Sequence, residues 1–509
     1  MTQLTGLLTG TEQSDLFTAG LEIVDLQENT TEIGTTNATI NALGGDDRIE
    51  SKVSLAPASG VRLEAIGITG TTIDAGAGND IVSAEGIASN FFDENFPRGP
   101  RFVGLGLGKG LVDSVVDGGS GNDTLSFIAK GAGDNRTSGR FPIPLPNSIG
   151  VENSTVRGGG GADKIIAAGD IGVQNSTIHS GAQQDEITIS GEEAALKESR
   201  VSSGADNDKI VLSAASESAT TVLETQVNSG AGDDIIDISS DADFFVESGR
   251  AGSRGVAVDR DSRIVGGAGN DSISIRSTAT SNNPSGATAV SQSVVAGGAG
   301  DDSIVLSARR ESVGGSATTA FDSTINGGEG DDTISFEASS TDAVGGLKAI
   351  RQSTVRGGVG NDTISFTIRG GASDELGNSG VESSQIYGGQ GRDRITIAIE
   401  PSQAASADDQ LKYDIADTLI FGGADDDTFD VGIGTGTLNG GTGSDTAVID
   451  YFNAETMSIN AIANGVQIVG TQTRSGTVGS WTQNIVDTEN FQIGDTTYTA
   501  ESLISTFAV

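Results

Sequence analysis

Residues 323–336 read STINGGEGDDTISF, and this stretch decides the fold. Ser323 and Ile325 stand two residues apart, polar and apolar residues alternate from Thr333 to Phe336, and the glycines and aspartates between favour a turn. Alternation at period two marks a strand with one buried face. The stretch therefore predicts strand, six-residue turn, strand.

The unit recurs along the chain. Aligned on the last aspartate of the turn, it ends fifteen times, at Asp15, Asp47, Asp80, Asp123, Asp163, Asp185, Asp208, Asp234, Asp271, Asp302, Asp332, Asp362, Asp393, Asp427 and Asp445, with spacings of 18 to 43 residues that cluster near 30. Seven residues before each aspartate stands an aliphatic side chain: Leu8, Ile40, Ile73, Val116, Val156, Ile178, Val201, Val227, Ile264, Val295, Ile325, Val355, Ile386, Ile420 and Leu438. Two residues earlier still is Ser or Thr in twelve of the fifteen, as at Ser154, Ser176, Ser262, Ser323 and Ser353.

One such unit has nothing to pack on. Copies stacked about 4.8 Å apart would align the aliphatics and serines into internal ladders, and fifteen coils would make a rod of roughly 70 Å. Antiparallel hairpins suit the serine ladder less well than identical stacked coils do. The expected fold is all-β: a right-handed parallel β-solenoid, β-roll or β-helix in kind, of about 15 coils over residues 1–445, closed by a small β cap at 446–509.

Composition agrees. Glycine is 75 of 509 residues against 8 prolines, which implies many tight turns and excludes collagen. Seventy acidic and 29 basic residues give a net charge of −41, a field that repels nucleic acid and anionic lipid and attracts multivalent cations. There is no cysteine, so neither disulfides nor thiolate metal sites staple the fold. No apolar run reaches the roughly 18 residues that span a bilayer, so no membrane insertion is expected. The opening MTQLTGLLTGTEQSDLF lacks the charged and apolar regions of a secretory signal, so export without a cleaved N-terminal signal is the expectation.

The turns point to a metal. Eight carry the full pattern GGxGxD, ending at Asp123, Asp163, Asp271, Asp302, Asp332, Asp362, Asp393 and Asp445, and those ending at Asp80 and Asp234 lose only the first glycine. Gly/Asp turns need no metal in themselves. Carboxylates stacked about 5 Å apart, however, would repel by roughly 3 kcal/mol per neighbouring pair at an effective dielectric of 20, and a cation between them reverses the sign. Calcium, which takes six to eight oxygens in flexible geometry, suits carbonyl-rich turns better than octahedral magnesium. The candidate ligands are these ten aspartates with Asp208 and Asp427. The degenerate turns at Asp15, Asp47, Asp185, Asp208 and Asp427 are expected to hold metal weakly or not at all, and Asp206 and Asp425, which replace a glycine there, either add a carboxylate or stay solvated.

The segments GGSGNDTLSF, GGAGNDSISI, GGEGDDTISF and GGVGNDTISF resemble the hemolysin-type (RTX) calcium-binding repeat, GGxGxDxUx with U apolar. The resemblance implies calcium between stacked turns of a parallel β-roll, and bacterial export by type I secretion through an uncleaved C-terminal signal. The period departs from it: the family motif repeats every nine residues with turns on both edges, whereas here one turn occurs per roughly 30 residues. Calcium is accordingly expected along one edge only. The other edge is expected to carry long variable loops such as SARRESVGGSATTAF, with a third strand in some coils. IVDTENFQIGDTTYTAESL resembles the region after RTX repeats, and SLISTFAV is similar to the apolar tail of type I signals, with a capping strand as the alternative.

Two expected insertions, 88–110 and 131–150, gather Phe91, Phe92, Phe96, Phe102 and Phe141 with Arg98, Arg101, Arg136 and Arg140, a candidate partner or glycan patch. For catalysis the chain offers little. His179 is the only histidine, which removes HExxH and multi-histidine sites, and no GxSxG occurs. The expected function is therefore not enzymatic: a secreted, calcium-binding structural or adhesive protein of the cell surface or extracellular matrix, folding on extracellular calcium. Its partners would be calcium, cell-surface polysaccharide or further copies of itself. The alternatives are a glycan- or partner-binding solenoid and a carboxylate-based polysaccharide-modifying enzyme.

Overall fold

The computed structural model describes residues 3–26, 30–57, 62–88, 91–93, 101–131, 147–216, 219–242, 255–280, 286–311, 316–341, 346–370, 379–400, 413–449, 457–474 and 477–507. The chain divides into two compact units, one formed by 1–215 with 220–237, the other by 216–219 with 238–509. Each is a parallel β-solenoid.

A coil of the second unit shows how the repeat folds. Strand Thr324–Glu329 carries Ile325 inward, the chain turns at Gly330–Asp332, and strand Thr333–Ser340 buries Ile334, Phe336 and Ala338. The first strand runs through both glycines, so the turn is tighter than the six residues the sequence implied. The reason lies in register: Gly298, Gly328 and Gly358 pair with one another as ladder positions rather than standing outside the sheet.

In this unit the inward aliphatics align as Ile264, Val295, Ile325, Val355, Ile386, Ile420 and Leu438. In the first unit Leu8, Ile40, Ile73, Val116, Val156, Ile178, Val201 and Val227 do the same. On the second strand Phe336 lies on Phe366 with ring centroids 4.7 Å apart and planes 9° from parallel. Such ladders bury each side chain against its equivalent, which only parallel in-register stacking allows.

Each of these coils also has a third strand. Ala287–Ser291, Ala317–Phe321 and Leu347–Arg351 pair in parallel, so SARRESVGGSATTAF, expected as a loop, is largely strand: it forms the end of Ser303–Arg310 and all of Ala317–Phe321. Ala317, Thr318, Thr319 and Ala320 are all buried, so no alternation of polar and apolar residues announces the strand. A sharp corner joins the third strand to the next turn strand. Asp322 and Gln352 adopt left-handed φ of 48° and 52°, and Ser323 Oγ–H returns to the Phe321 carbonyl at 2.7 Å. The Ser323 N–H donates in turn to Ser353 Oγ at 3.2 Å. This is the serine ladder, and it satisfies the backbone where the corner interrupts the strands.

The expected insertion 88–110 ends in structure: strand Arg101–Val112 pairs with Arg62–Thr69 and Ile149–Glu152 as third-strand members of the first unit. Phe96, Phe141, Arg98, Arg136 and Arg140 lie outside the described residues, as do the side chains of Phe91, Phe92, Phe102 and Arg101.

At the C-terminal end Met457–Ile462, Gly465–Arg474 and Thr477–Val486 form an antiparallel meander. Its last strand adds in parallel to Gly434–Thr442, Leu438 opposite Ile485, so the exposed edge of the final coil is covered. The chain continues into helix Ala500–Phe507, which replaces the alternative of a terminal capping strand and seats Leu503.

Candidate metal column

The twelve candidate ligands Asp80, Asp123, Asp163, Asp208, Asp234, Asp271, Asp302, Asp332, Asp362, Asp393, Asp427 and Asp445 are all at most 3% exposed. Each follows its turn at the start of the second strand, and the carboxylate folds back under the turn.

One oxygen of the carboxylate has a fixed partner. Within each unit the backbone N–H of one aspartate donates to Oδ1 of the aspartate one coil on: Asp80 to Asp123 and Asp123 to Asp163 at 2.7 Å, Asp302 to Asp332, Asp332 to Asp362, Asp362 to Asp393, Asp393 to Asp427 and Asp427 to Asp445 at 2.8 Å. The other oxygen has none. Among the described residues, Oδ2 of Asp47, Asp80, Asp123, Asp163, Asp302, Asp332, Asp362, Asp393, Asp427 and Asp445 is sealed from solvent without a hydrogen bond. In the turns of Asp185 and Asp208 a serine replaces the first glycine, and its hydroxyl donates to the next serine carbonyl, Ser180 to Ser203 at 2.9 Å and Ser203 to Ser229 at 2.7 Å.

The glycines make this burial sterically workable. A Cβ at Gly327 would meet Oδ2 of Asp332, and Gly118, Gly158, Gly297, Gly357 and Gly388 stand in the same relation to their own aspartates. At Gly328, with φ of 135°, a Cβ would fall on the Gly298 carbonyl oxygen of the neighbouring coil. That second position is glycine in every turn from Gly76 to Gly441, whereas the first tolerates Ala75, Ser180 and Ser203.

Burial sets the proton affinity of the column. Asp80, Asp163, Asp302 and Asp362 are raised to about 6, and Asp123, Asp208, Asp332, Asp393 and Asp427 to about 7. Desolvation is the largest cause. The N–H donated to Oδ1 opposes it, and the charges of neighbouring acids add to it.

An unpaired, dehydrated carboxylate oxygen beside a glycine that leaves room for it is a poor resting state and a suitable cation ligand. Calcium fits this donor set because it accepts carbonyl oxygens, and each turn carbonyl keeps a second lone pair after its ladder bond. Most of the oxygens around any ion would have to be such carbonyls, since among the described residues no three acidic or histidine side chains converge on one point.

The degenerate turns divide. Asp15, Asp47, Asp185, Asp208 and Asp427 all repeat the N–H to Oδ1 contact, and only Asp15 at the first coil differs in its second oxygen, Oδ2 accepting the Thr11 hydroxyl at 3.0 Å. Asp206 and Asp425 are exposed, in left-handed φ of 72° and 77°, and do not join the buried column. His179 faces outward in register with Arg157 and Ser202.

A second ladder went unread in the sequence. The residue before the buried aspartate accepts, through its side chain, the N–H of its equivalent one coil on: Asn79 Oδ1 from Asn122, Asn270 Oδ1 from Asp301 and Asp301 Oδ1 from Asp331, each at 2.8 Å. The recurrence of Asn or Asp there, as in GND and GDD, was its signal. At the far end Glu489 closes the column, its Oε2 taking the Asp445 N–H at 2.8 Å from a turn without glycines.

Four stretches of the chain, 71–86, 113–126, 257–274 and 317–338, match the family model of the RTX calcium-binding nonapeptide repeat. The parallel β-solenoid thus carries RTX calcium-binding repeats. No curated protein matches it.

Proposed function

We propose that the protein is a secreted structural or adhesive scaffold of the cell surface or extracellular matrix, which becomes rigid when calcium enters its turn column. The unpaired Oδ2 row carries this reading. Without a cation, each inward carboxylate either stays protonated or holds a buried charge, and with −41 net charge on the chain both favour expansion. A cation that binds only the folded stack adds its binding free energy to stability. The ligands are Asp80, Asp123, Asp163, Asp208, Asp234, Asp271, Asp302, Asp332, Asp362, Asp393, Asp427 and Asp445, each with carbonyls of its own and the adjoining turn. Calcium repeats are typical of exported proteins, and among the described residues no helix is long and apolar enough to cross a membrane.

The test is a calcium titration of chelator-stripped protein followed by circular dichroism and calorimetry, against magnesium. Cooperative gain of β-signal with about ten calcium ions, absent with magnesium, supports the scaffold reading. A stripped protein already folded and indifferent to calcium would refute it.

A further inference from the structure

The outward face of the second-strand sheet in the second unit carries a feature separate from the inward-facing column. Between residues 241 and 370 it opens into a cleft of about 620 Å³ whose walls include Arg276, Arg309 and Arg369. They share the lining with three carboxylates, Asp241, Glu311 and Glu337, so the cleft is balanced in charge on a chain with 29 basic and 70 acidic residues.

Register arranges them. Thr278, Arg309, Ser339 and Arg369 are ladder partners on successive coils, so they form one stripe running across the strands. Each of these four can donate a hydrogen bond, and the stripe reaches an acid only one coil further on, at Glu400. Arg276, Ser307, Glu337 and Thr367 form the stripe beside it. Glu311 lies 3.0 Å from Arg309 Nε and Glu337 lies 3.6 Å from Arg369 Nη1, which orients both forks while leaving those arginine side chains 53% and 54% exposed. Ion pairs this open hold their partners weakly, so a ligand carboxylate can compete for the forks.

We propose that this cleft binds a polyuronate strand lying along the solenoid axis. Arginine presents a planar fork that matches a carboxylate. Arg309 and Arg369 are two coils apart, roughly 9.6 Å at the spacing of parallel strands. That is close to the length of a disaccharide in an extended uronate chain, so carboxylates on alternate sugars meet successive forks. The Ser339 hydroxyl falls between the two forks and that of Thr278 one coil before Arg309, each placed to meet a sugar hydroxyl. The cleft volume lies within the range of small-molecule sites, about 300 to 1,000 Å³, enough for a few sugar rings. A solenoid face of this kind would hold the protein to an acidic polysaccharide, which gives the adhesive role a chemical partner without depending on the calcium column.

The experiment is calorimetric titration of the calcium-saturated protein with short oligogalacturonates of graded length, with neutral cello-oligosaccharides as comparison and Arg309→Gln/Arg369→Gln as the variant. Calcium stoichiometry and circular dichroism of the variant are measured in parallel. The expected result is binding that strengthens with length until both forks are spanned. The double variant should bind about a hundredfold more weakly, roughly tenfold per fork, with fold and calcium content unchanged, and neutral sugars should not bind measurably. Equal binding by the double variant would place the uronate on calcium at the turns and overturn the proposal, as would no binding by the unmodified protein or equal binding of the neutral sugars.

Discussion

Asp332 and Asp362 stand one coil apart, joined by a 2.8 Å bond from the Asp332 N–H to Asp362 Oδ1, while Asp362 Oδ2 is buried with no hydrogen-bond partner among the described residues. The same half-satisfied contact repeats along each unit. It fixes the stacking register through one oxygen and leaves the other for a cation.

Asp362→Asn separates these two duties. The amide oxygen still accepts the Asp332 N–H, but the charge is gone. In chelator the variant should be at least as stable as the unmodified protein, because a desolvated charge has been removed. In saturating calcium it should be less stable by about 1–3 kcal/mol, the range for losing a buried charged contact. Chemical denaturation with and without calcium reads both.

The raised pKa values give the metal-free protein an inverted pH profile. Asp332 and Asp393 titrate at about 7 when folded, against an ordinary value of 3.8. Between those limits the folded state binds more protons than the unfolded one, so metal-free stability falls as pH rises from about 4 to about 7. Calcium should reverse the slope, since it competes with those protons. Melting temperature against pH, in chelator and in calcium, tests the sign.

The two glycines of a turn should differ. Gly327→Ala puts a methyl against the Asp332 carboxylate and the Gly357 carbonyl oxygen at a backbone angle open to alanine, and the turn of Asp80 already carries Ala75 at this position. Gly328→Ala forces left-handed φ on a side chain and drives it into the Gly298 carbonyl. The first should cost about 1 kcal/mol and the second more than about 3 kcal/mol, measured as the shift in denaturation midpoint in calcium.

Glu489 ends the column, so Glu489→Ala leaves the Asp445 N–H without its carboxylate partner. A loss of about 1–2 kcal/mol is expected. Limited proteolysis should show faster cleavage in the meander beyond residue 457 than in the coils before it.

Much of this was legible because stacking repeats one residue type at one height. The aliphatic at Ile325, the serine at Ser323 and the aspartate at Asp332 each recur in register, and the ladders they predict are those that form. The third strand was not legible. Its residues Ala317 to Ala320 are all buried and are only alanines and threonines, so they have neither alternation nor bulk to mark the strand. The Asn/Asp ladder beside the column was visible as composition but not as structure, because a turn residue with a side-chain carbonyl looks the same whether it binds its own loop or the next coil. The arginine stripe was hidden for another reason: Arg309 and Arg369 are 60 residues apart in sequence, and only the register joins them.

The most direct test is a crystal structure of the calcium-loaded protein with anomalous scattering used to locate the ions. Ions between successive turns, at about 2.3 to 2.6 Å from Oδ2 of Asp332 and Asp362, are the predicted result. Ions found only on the exposed acidic surface, with those Oδ2 atoms still unligated, would contradict the account.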